Sequence, residues 1–531
     1  MRLTDLSSNF DAAKKEFEAN GIEVFNYDRN ELRKKTMENP TWLHFGAGNI
    51  FRAFPARVLD ELLSKGICQS GLIVCEGFDE ELIDKAYKPF DDLSLAVTLC
   101  ANGEIKKQAV GSVVESVFLG TESGYNRISD IFTKESLQFI SFTITEKGYS
   151  LMGKDGNLMG LVKEDLESAT LLPRHLMGKI AALLLKRYNA NKAPLAVVSM
   201  DNCSHNGDKL KASVMVFANN WVDKGVVDKG FVEYLEDANK ITFPLSMIDK
   251  ITPRPDALVG KALEDAGFND TDVIITSKNT YTSPFVNAEE TEYLVIEDRF
   301  PNGRMALEKG GILFTDRETV DKVEKMKVCT CLNPLHTCLA IFGCLLDYKS
   351  ISAEMSNPLL VKMITKLGYE EGMPVVVNPG ILNPVDFLKN VIEKRLPNPF
   401  MPDTPQRIAC DTSQKIPVRF GETLKAYKAK GDIPKLNVIP LVFAGYLRYL
   451  LGTNDNGEAF EPSPDPLLSE LMNIMNTSIS EMDQAVNVIL SRKDIFAIDL
   501  FDCGIAKQVK ELFAEMCAGK GAITRTLEKY L

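Results

Sequence analysis

Residues 42–76 constrain the fold of this chain more than any other stretch. Trp42-Leu43-His44-Phe45 is a short apolar run, and Gly46-Ala47-Gly48-Asn49-Ile50-Phe51 turns the chain into a helical segment, FRAFPARVLDELLSKG. The run GLIVCEG comes next, rich in β-formers and ending in the acid Glu76. Strand, glycine turn, helix and strand make a βαβ unit. Gly46 permits the tight turn, and Gly48 lets the backbone approach a pyrophosphate at the helix N-terminus. The third glycine of such a fingerprint is replaced by Phe51, so the helix must sit differently on its strand. A lone pair of glycines is usually only a turn. Here the flanking strand, helix and terminal acid point to a dinucleotide site. An acid at Glu76 accepts bonds from the adenosine ribose hydroxyls and repels a 2′-phosphate, which predicts NAD. Ala47, Asn49, Ile50, Phe51 and Arg52 complete the expected cofactor contacts. The bland reading of Glu76 is an exposed acid ending a strand.

Further apolar runs, Val113 to Leu119, Leu137 to Ile144, Pro194 to Met200 and Asp272 to Ile275, alternate with helical stretches such as 176–188 and 209–222. This alternation predicts a mainly parallel sheet with helices on its faces. The first forty residues read as a helical preface with Phe10, Phe17, Ile22 and Val24 among charges. Beyond residue 317 long helices take over, over 321–347, 358–369, 384–394, 438–451, 466–475 and 479–490. Residues 395–417 hold five prolines and read as a long irregular loop, the kind that often carries function. The predicted class is α/β: a Rossmann-type N-terminal domain over 1–316, preface included, and a mainly α-helical domain over 317–531 that holds the substrate and the chemistry.

Composition excludes more than it selects. At 531 residues with 45% hydrophobic and 25% charged residues, the chain reads as globular rather than disordered. A net charge of −12 argues against a nucleic-acid partner but permits a local basic pocket. No uninterrupted apolar run approaches the roughly 20 residues of a membrane span, and no signal-peptide core opens the sequence. Eleven cysteines without a CxxC pair suit buried thiols in a reducing compartment, so the expected location is cytoplasmic. No His/Cys spacing fits a structural zinc site, and no metal is expected. The expected assembly is a monomer or weak homo-oligomer.

The chemistry signal lies in Glu324-Lys325-Met326-Lys327-Val328-Cys329-Thr330-Cys331-Leu332-Asn333-Pro334-Leu335-His336. Lysine, asparagine and histidine fall within ten residues, in apolar company. Alcohol oxidation needs a base to take the hydroxyl proton as hydride departs, and an apolar surround favours a neutral lysine. Asparagine amides can hold a developing oxyanion. The bland alternative is a snorkelling Lys327 with Asn333 and His336 as satisfied core polars. A second segment, Ser199 to Gly207, follows a strand and carries Asn202 where open α/β sheets bind ligands, although alone it is only a polar turn. In the proline-rich stretch, Arg407 and Lys415 flank Asp411 to Gln414 as a pair of cations suited to substrate oxygens or a carboxylate, or merely as solvated loop charge.

Together HFGAGNIFRAF, TITEKGY, SMDNCSHNG, FPLSMIDKITP, VIEDRFPNGR, EKMKVCTCLNPLHT and RIACDTSQKIPVR resemble the polyol-specific long-chain dehydrogenases, the family of mannitol 2-dehydrogenase, fructuronate reductase and tagaturonate reductase. The resemblance runs from residue 44 to 419. It implies Lys327 as general acid/base, Asn202 and Asn333 as oxyanion-holding amides, and His336 as the histidine that orients substrate. It further implies Arg407 and Lys415 on substrate oxygens, Asp249 near the nicotinamide, and Glu324 on a proton path. The implied partner is a small sugar acid or polyol, most like the fructuronate–mannonate pair, with mannitol–fructose and tagaturonate–altronate left open. A non-redox nicotinamide sensor and an epimerase that retains NAD are the rivals from other classes. Two departures stand out. Five residues separate Lys327 from Asn333 where the family has four, and Leu245 replaces a usual asparagine. On a regular helix one extra residue rotates Lys327 by about 100°. A bulge or non-helical turn near Asn333-Pro334 must absorb it, or Lys325 takes the role.

Overall fold

The computed structural model describes residues 1–431, 433–478 and 480–531. Two compact units divide the chain, Met1–Asp321 and Lys322–Leu531.

The first unit is a Rossmann-type α/β fold. Six strands form one parallel sheet in the order Val113–Phe118, Leu72–Glu76, Trp42–Phe45, Phe139–Phe142, Leu195–Ser199, Ile241–Thr242. Counted along the chain, that order is 3-2-1-4-5-6, so the topology reverses beside Trp42–Phe45, and ligands bind at such a switch point. The four inner strands are mostly apolar and fully buried, because both faces are covered. Successive side chains serve opposite cores: Leu43 and Phe45 join Ile140, Phe142, Val197 and helix Leu176–Ala190 on one side. Trp42, Val74, Phe139 and Val198 join Phe51, Val58 and Leu62 on the other.

The preface folds as helices Phe10–Ala19 and Arg29–Glu38, and Asp28 caps the latter by accepting from Asn30 N and Glu31 N. Its strand Ile22–Glu23 edges a four-stranded sheet completed by Ile105–Val110, Ser94–Leu99 and Phe285–Glu289. A three-stranded sheet of Ser246–Asp249, Tyr293–Glu297 and Leu313–Thr315 adds to the same unit. The expected strand over 272–275 is not in the parallel sheet. Only Ile274–Ile275 is extended, and it pairs antiparallel with Tyr281–Thr282. Its apolar residues are followed at once by the turn Thr276–Thr280, which leaves no length for a central strand.

The second unit is helical. Three helices start on the same local code: Asn357, Asn383 and Thr404 each cap with a side-chain oxygen and are followed by proline at the first helical position. Proline there costs no hydrogen bond, since that N–H would be unpaired anyway. Helices Asn333–Leu345 and Val438–Tyr449 are apolar almost all round and lie in the core. The expected irregular loop over 395–417 contains two short helices, Pro405–Ile408 and Thr412–Ile416. Of the expected helix 479–490, Met482–Leu490 is helical, and Ile479 lies outside the described residues. Among the described residues one helix, Arg317–Leu345, is long and apolar enough to cross a membrane, and 78% of its most apolar 18-residue window is buried, which suits a core helix.

Candidate active site

The candidate site of the first unit grows from the end of strand Trp42–Phe45. Gly46 has φ +104°, and a Cβ placed there would lie 2.2 Å from the carbonyl oxygen of Thr143. Only glycine fits. Gly48 caps the helical segment 49–64 in an extended conformation, and a Cβ there would meet nothing within 4 Å. The turn is therefore tight on one side and open on the other, and first-turn N–H groups follow it. This cradle fits a dinucleotide pyrophosphate. Phe51 fills the third-glycine position by stacking flat on the buried His44 ring, with centroids 4.2 Å apart. His44 contacts the hydroxyls of Ser141 at 2.6 Å and Thr143 at 2.8 Å, and burial pushes its pKa down to about 3.

Two expected cofactor contacts, Arg52 and Glu76, make hydrogen bonds within the turn region. Arg52 is buried and donates to the Ser283 carbonyl, Asn49 Oδ1 and the Thr282 hydroxyl. These bonds brace the turn from the π-wound stretch Arg52–Ala56. Glu76 is buried, not an exposed strand end. Its carboxylate accepts from Ala47 N at 2.9 Å, Phe78 N at 2.8 Å and Asp79 N at 3.2 Å. It thus ties the end of its strand to the glycine turn. Ile50 is half-buried, Asn49 donates to the Tyr281 carbonyl, and Asp249 ends its strand as a buried acid.

Sequence reasoning missed the knot behind Asn202. Asp201 accepts from Ile144 N, Thr145 N and the Tyr149 hydroxyl. Asn206, fully buried, donates to the carbonyls of Asp201 and Ser246 and accepts from Ser246 N. These bonds fix the loop, and Asn202 stands exposed on it. The SMDNCSHNG motif holds both residues, but nothing in its spacing separates the exposed asparagine from the buried one.

In the helical unit, Lys327 is buried at 3% exposure while Lys325 is exposed. Lys327 opens a π-turn, Lys327–Cys331, and helix Asn333–Leu345 follows after Leu332. A π-turn is the usual way a helix takes in one extra residue. The fifth residue between Lys327 and Asn333 is thus absorbed just ahead of the expected place. Burial raises the thiols of Cys329 and Cys331 to about 11 and about 12, so neither is a ready thiolate.

His336 sits one turn beyond Asn333. Its Nε2 lies 3.3 Å from Asp403 Oδ2, and Asp403 also pairs with Arg407. Burial, then the cations Arg395, Arg419, Arg407 and Lys415, push the imidazole down to about 3, so it is neutral. Lys415 Nζ donates to the Ile408 carbonyl at 2.9 Å. Arg419 donates to the Asn333 backbone carbonyl at 3.3 Å and to the Thr337 hydroxyl, which ties it to the first turns of helix Asn333–Leu345. Asp403, Arg395 and Arg419 were not foreseen. Asp403 precedes Arg407 by one helical turn in DTPQR, a legible signal, whereas nothing in the sequence points Arg395 toward His336. Among the described residues no three His, Cys, Asp or Glu gather to hold a metal ion.

Residues 40–309 match the family described as mannitol dehydrogenase Rossmann domain, and residues 319–517 the mannitol dehydrogenase C-terminal domain. D-Mannonate oxidoreductase of Thermotoga maritima is 48% identical over 519 residues, which cover 96% of each chain. Mannitol 2-dehydrogenase of Cereibacter sphaeroides is 30% identical over 83% of this chain and 85% of the relative. A substrate-free D-sorbitol dehydrogenase shares the fold with a TM-score of 0.78, at 23% identity over 96% of this chain and 97% of the other. Pseudomonas fluorescens mannitol 2-dehydrogenase, in complex with NAD and D-mannitol, shares it with a TM-score of 0.68, at 22% identity over 96% of both.

Proposed function

We propose that this chain, which belongs to the mannitol dehydrogenase family, is an NAD-dependent oxidoreductase that interconverts D-mannonate and its keto acid, D-fructuronate, without a metal ion. The observation that carries the substrate is the group of cations that act on His336, Arg395, Arg407, Lys415 and Arg419, with the carboxylate of Asp403 beside the ring. In a chain of net charge −12 such a local excess suits a sugar acid better than a neutral polyol. The similarity to D-mannonate oxidoreductase points the same way.

When bound, the nicotinamide supplies or takes up the hydride. The chain supplies the rest. The Gly46–Gly48 cradle and the first-turn N–H groups receive the pyrophosphate, and Glu76 shapes that cradle and disfavours a 2′-phosphate. Asp249, the buried acid ending its strand, is assigned to the nicotinamide end. Lys327 Nζ gives the proton to the ketone oxygen in reduction and takes it from the hydroxyl in oxidation. Its burial beside an exposed Lys325 supports Lys327 in this role. The amides of Asn333 and Asn202 steady the oxygen as its charge changes. Neutral His336, with Arg407 and Lys415, orients substrate hydroxyls.

The test is NADH consumption by purified protein with fructuronate, tagaturonate and fructose separately, before and after dialysis against a chelator. Steady turnover with fructuronate, unchanged by the chelator, is expected. NADH binding without turnover of any ketone favours a nicotinamide sensor, and turnover confined to fructose moves the substrate to a polyol.

A further inference from the structure

Most aromatic rings of the first unit are buried, but Phe78 is 69% exposed. A single exposed ring needs no explanation by itself. Its place in the fold does. Phe78 lies two residues beyond the end of strand Leu72–Glu76, where a Rossmann sheet receives the adenosine half of a dinucleotide. Its backbone is firmly held. One Glu76 oxygen accepts from Phe78 N at 2.8 Å and the other from Ala47 N at 2.9 Å, so a single carboxylate joins the ring's anchor to the glycine turn. Buried Asp79 accepts from the hydroxyls of Thr276 and Thr280, both at 2.6 Å, and Glu81 accepts from Ser277 N. These bonds dock the turn of the hairpin formed by Ile274–Ile275 and Tyr281–Thr282 beside Phe78. Lys278, on that turn, places Nζ over the phenyl ring, 5.4 Å from its centroid. The ammonium thus occupies one face of the ring. At the ring's high exposure, the other face stays open to solvent.

We propose that Phe78 is the adenine platform of the cofactor site: the open face of its ring stacks on the adenine of NAD, while Glu76 keeps the ring in step with the Gly46–Gly48 cradle. This rests on the dinucleotide reading above. A flat apolar surface one carboxylate away from the pyrophosphate turn suits a purine, because stacking takes apolar faces out of water and needs no hydrogen-bond partner. The contact lies at the opposite end of the dinucleotide from the hydride. It is therefore equally strong before and during the transfer, so it lowers KM for the cofactor and leaves kcat alone.

The experiment measures kcat and KM for NADH at saturating keto acid, together with inhibition by ADP-ribose, which carries the adenine without the nicotinamide. It uses intact wild type, Phe78→Ala, Phe78→Leu and Phe78→Trp. A base stacked on an aromatic side chain gains about 10- to 100-fold in affinity. Phe78→Ala is expected to raise KM for NADH and the inhibition constant of ADP-ribose together by that factor, with the loss sparing kcat. Phe78→Leu keeps apolar bulk without a π-face, is expected to weaken both ligands as well, and covers an alanine variant that does not fold. Phe78→Trp restores a π-face and is expected to bind both as the wild type does. A folded alanine or leucine variant with wild-type KM for NADH overturns this inference alone. So does a loss that falls on kcat, or a tryptophan variant that binds no better than the leucine one. A wild type that oxidises NADH with no ketone overturns the proposed function, and direct titration of the same variants with NADH and ADP-ribose then decides the role of Phe78 by binding.

Discussion

Single residues decide whether this fold carries the chemistry, and two of them make direct predictions. Gly46 holds a left-handed φ of +104°, with the Thr143 carbonyl where a side chain would begin. Gly46→Ala should cost about 1–3 kcal/mol of stability and displace the turn that receives the pyrophosphate. Denaturant titration and NADH titration should therefore both register it, whereas Gly66→Ala, also at positive φ but in open space, should leave NADH affinity intact. His44 predicts the acid side of the stability curve. Its pKa lies near 3 in the folded chain, against about 6.5 when unfolded, so below pH 6.5 the unfolded chain binds the extra proton. Stability from this group is present above pH 6.5 and falls as pH drops toward 3, by up to about 1.4 kcal/mol per pH unit. His44→Gln should flatten that slope between pH 6 and 4 in thermal melts (a bounded window of about two units). At this scale the sequence was informative about residue type and poor about direction. The glycines, Lys327 and His336 were legible because chemistry restricts what can stand there. The internal bonds of Arg52 were not, because its partners Thr282 and Ser283 lie more than two hundred residues away along the chain.

Elements show the same division. The inner parallel strands were readable since each is buried on both faces and reads as a continuous, mostly apolar run bounded by turns. The smaller sheets were not, because strands such as Ile22–Glu23 and Tyr281–Thr282 are two residues long and leave no periodicity. Among the described residues the helical unit holds π-turns at Lys327–Cys331, Leu367–Gly372, Val391–Arg395 and Pro417–Gly421. Three of them carry Lys327, Arg395 and Arg419, in keeping with the tendency of such turns to mark functional sites. Helix Ile351–Glu354 poses a separate question. Glu354 is fully buried, neither carboxyl oxygen has a hydrogen-bond partner, and burial raises its pKa well above the usual carboxyl value. Burial therefore favours its protonated form. Its contribution is complete below the unfolded carboxyl pKa and is lost as pH rises toward the folded value. Glu354→Gln, which keeps the shape and removes the titration, should gain stability relative to the wild type between pH 5 and 8, read as a growing difference in melting temperature. A difference that stays constant with pH would mean that Glu354 is charged in the folded chain.

At the scale of the whole molecule, the order of chemistry along the chain is what the sequence conveyed best. A glycine turn at a topological switch point opens the first unit's site, and a lysine–asparagine–histidine run opens the second. That order, with the family match across 40–309 and 319–517, supports a hydride transfer in which the protein's own task is to move one proton. The claim concentrates on the Lys327 amine. The measurement that reaches it most directly is the rate of NADH oxidation by Lys327→Ala with keto acid, without and with small primary amines in the buffer. The variant should lose about 10²- to 10⁴-fold in kcat while binding NADH as the wild type does. Added amines should restore rate in proportion to their free-base concentration. A Lys327→Ala protein that turns over at the wild-type rate, or one whose activity is lost together with NADH binding, would contradict the account.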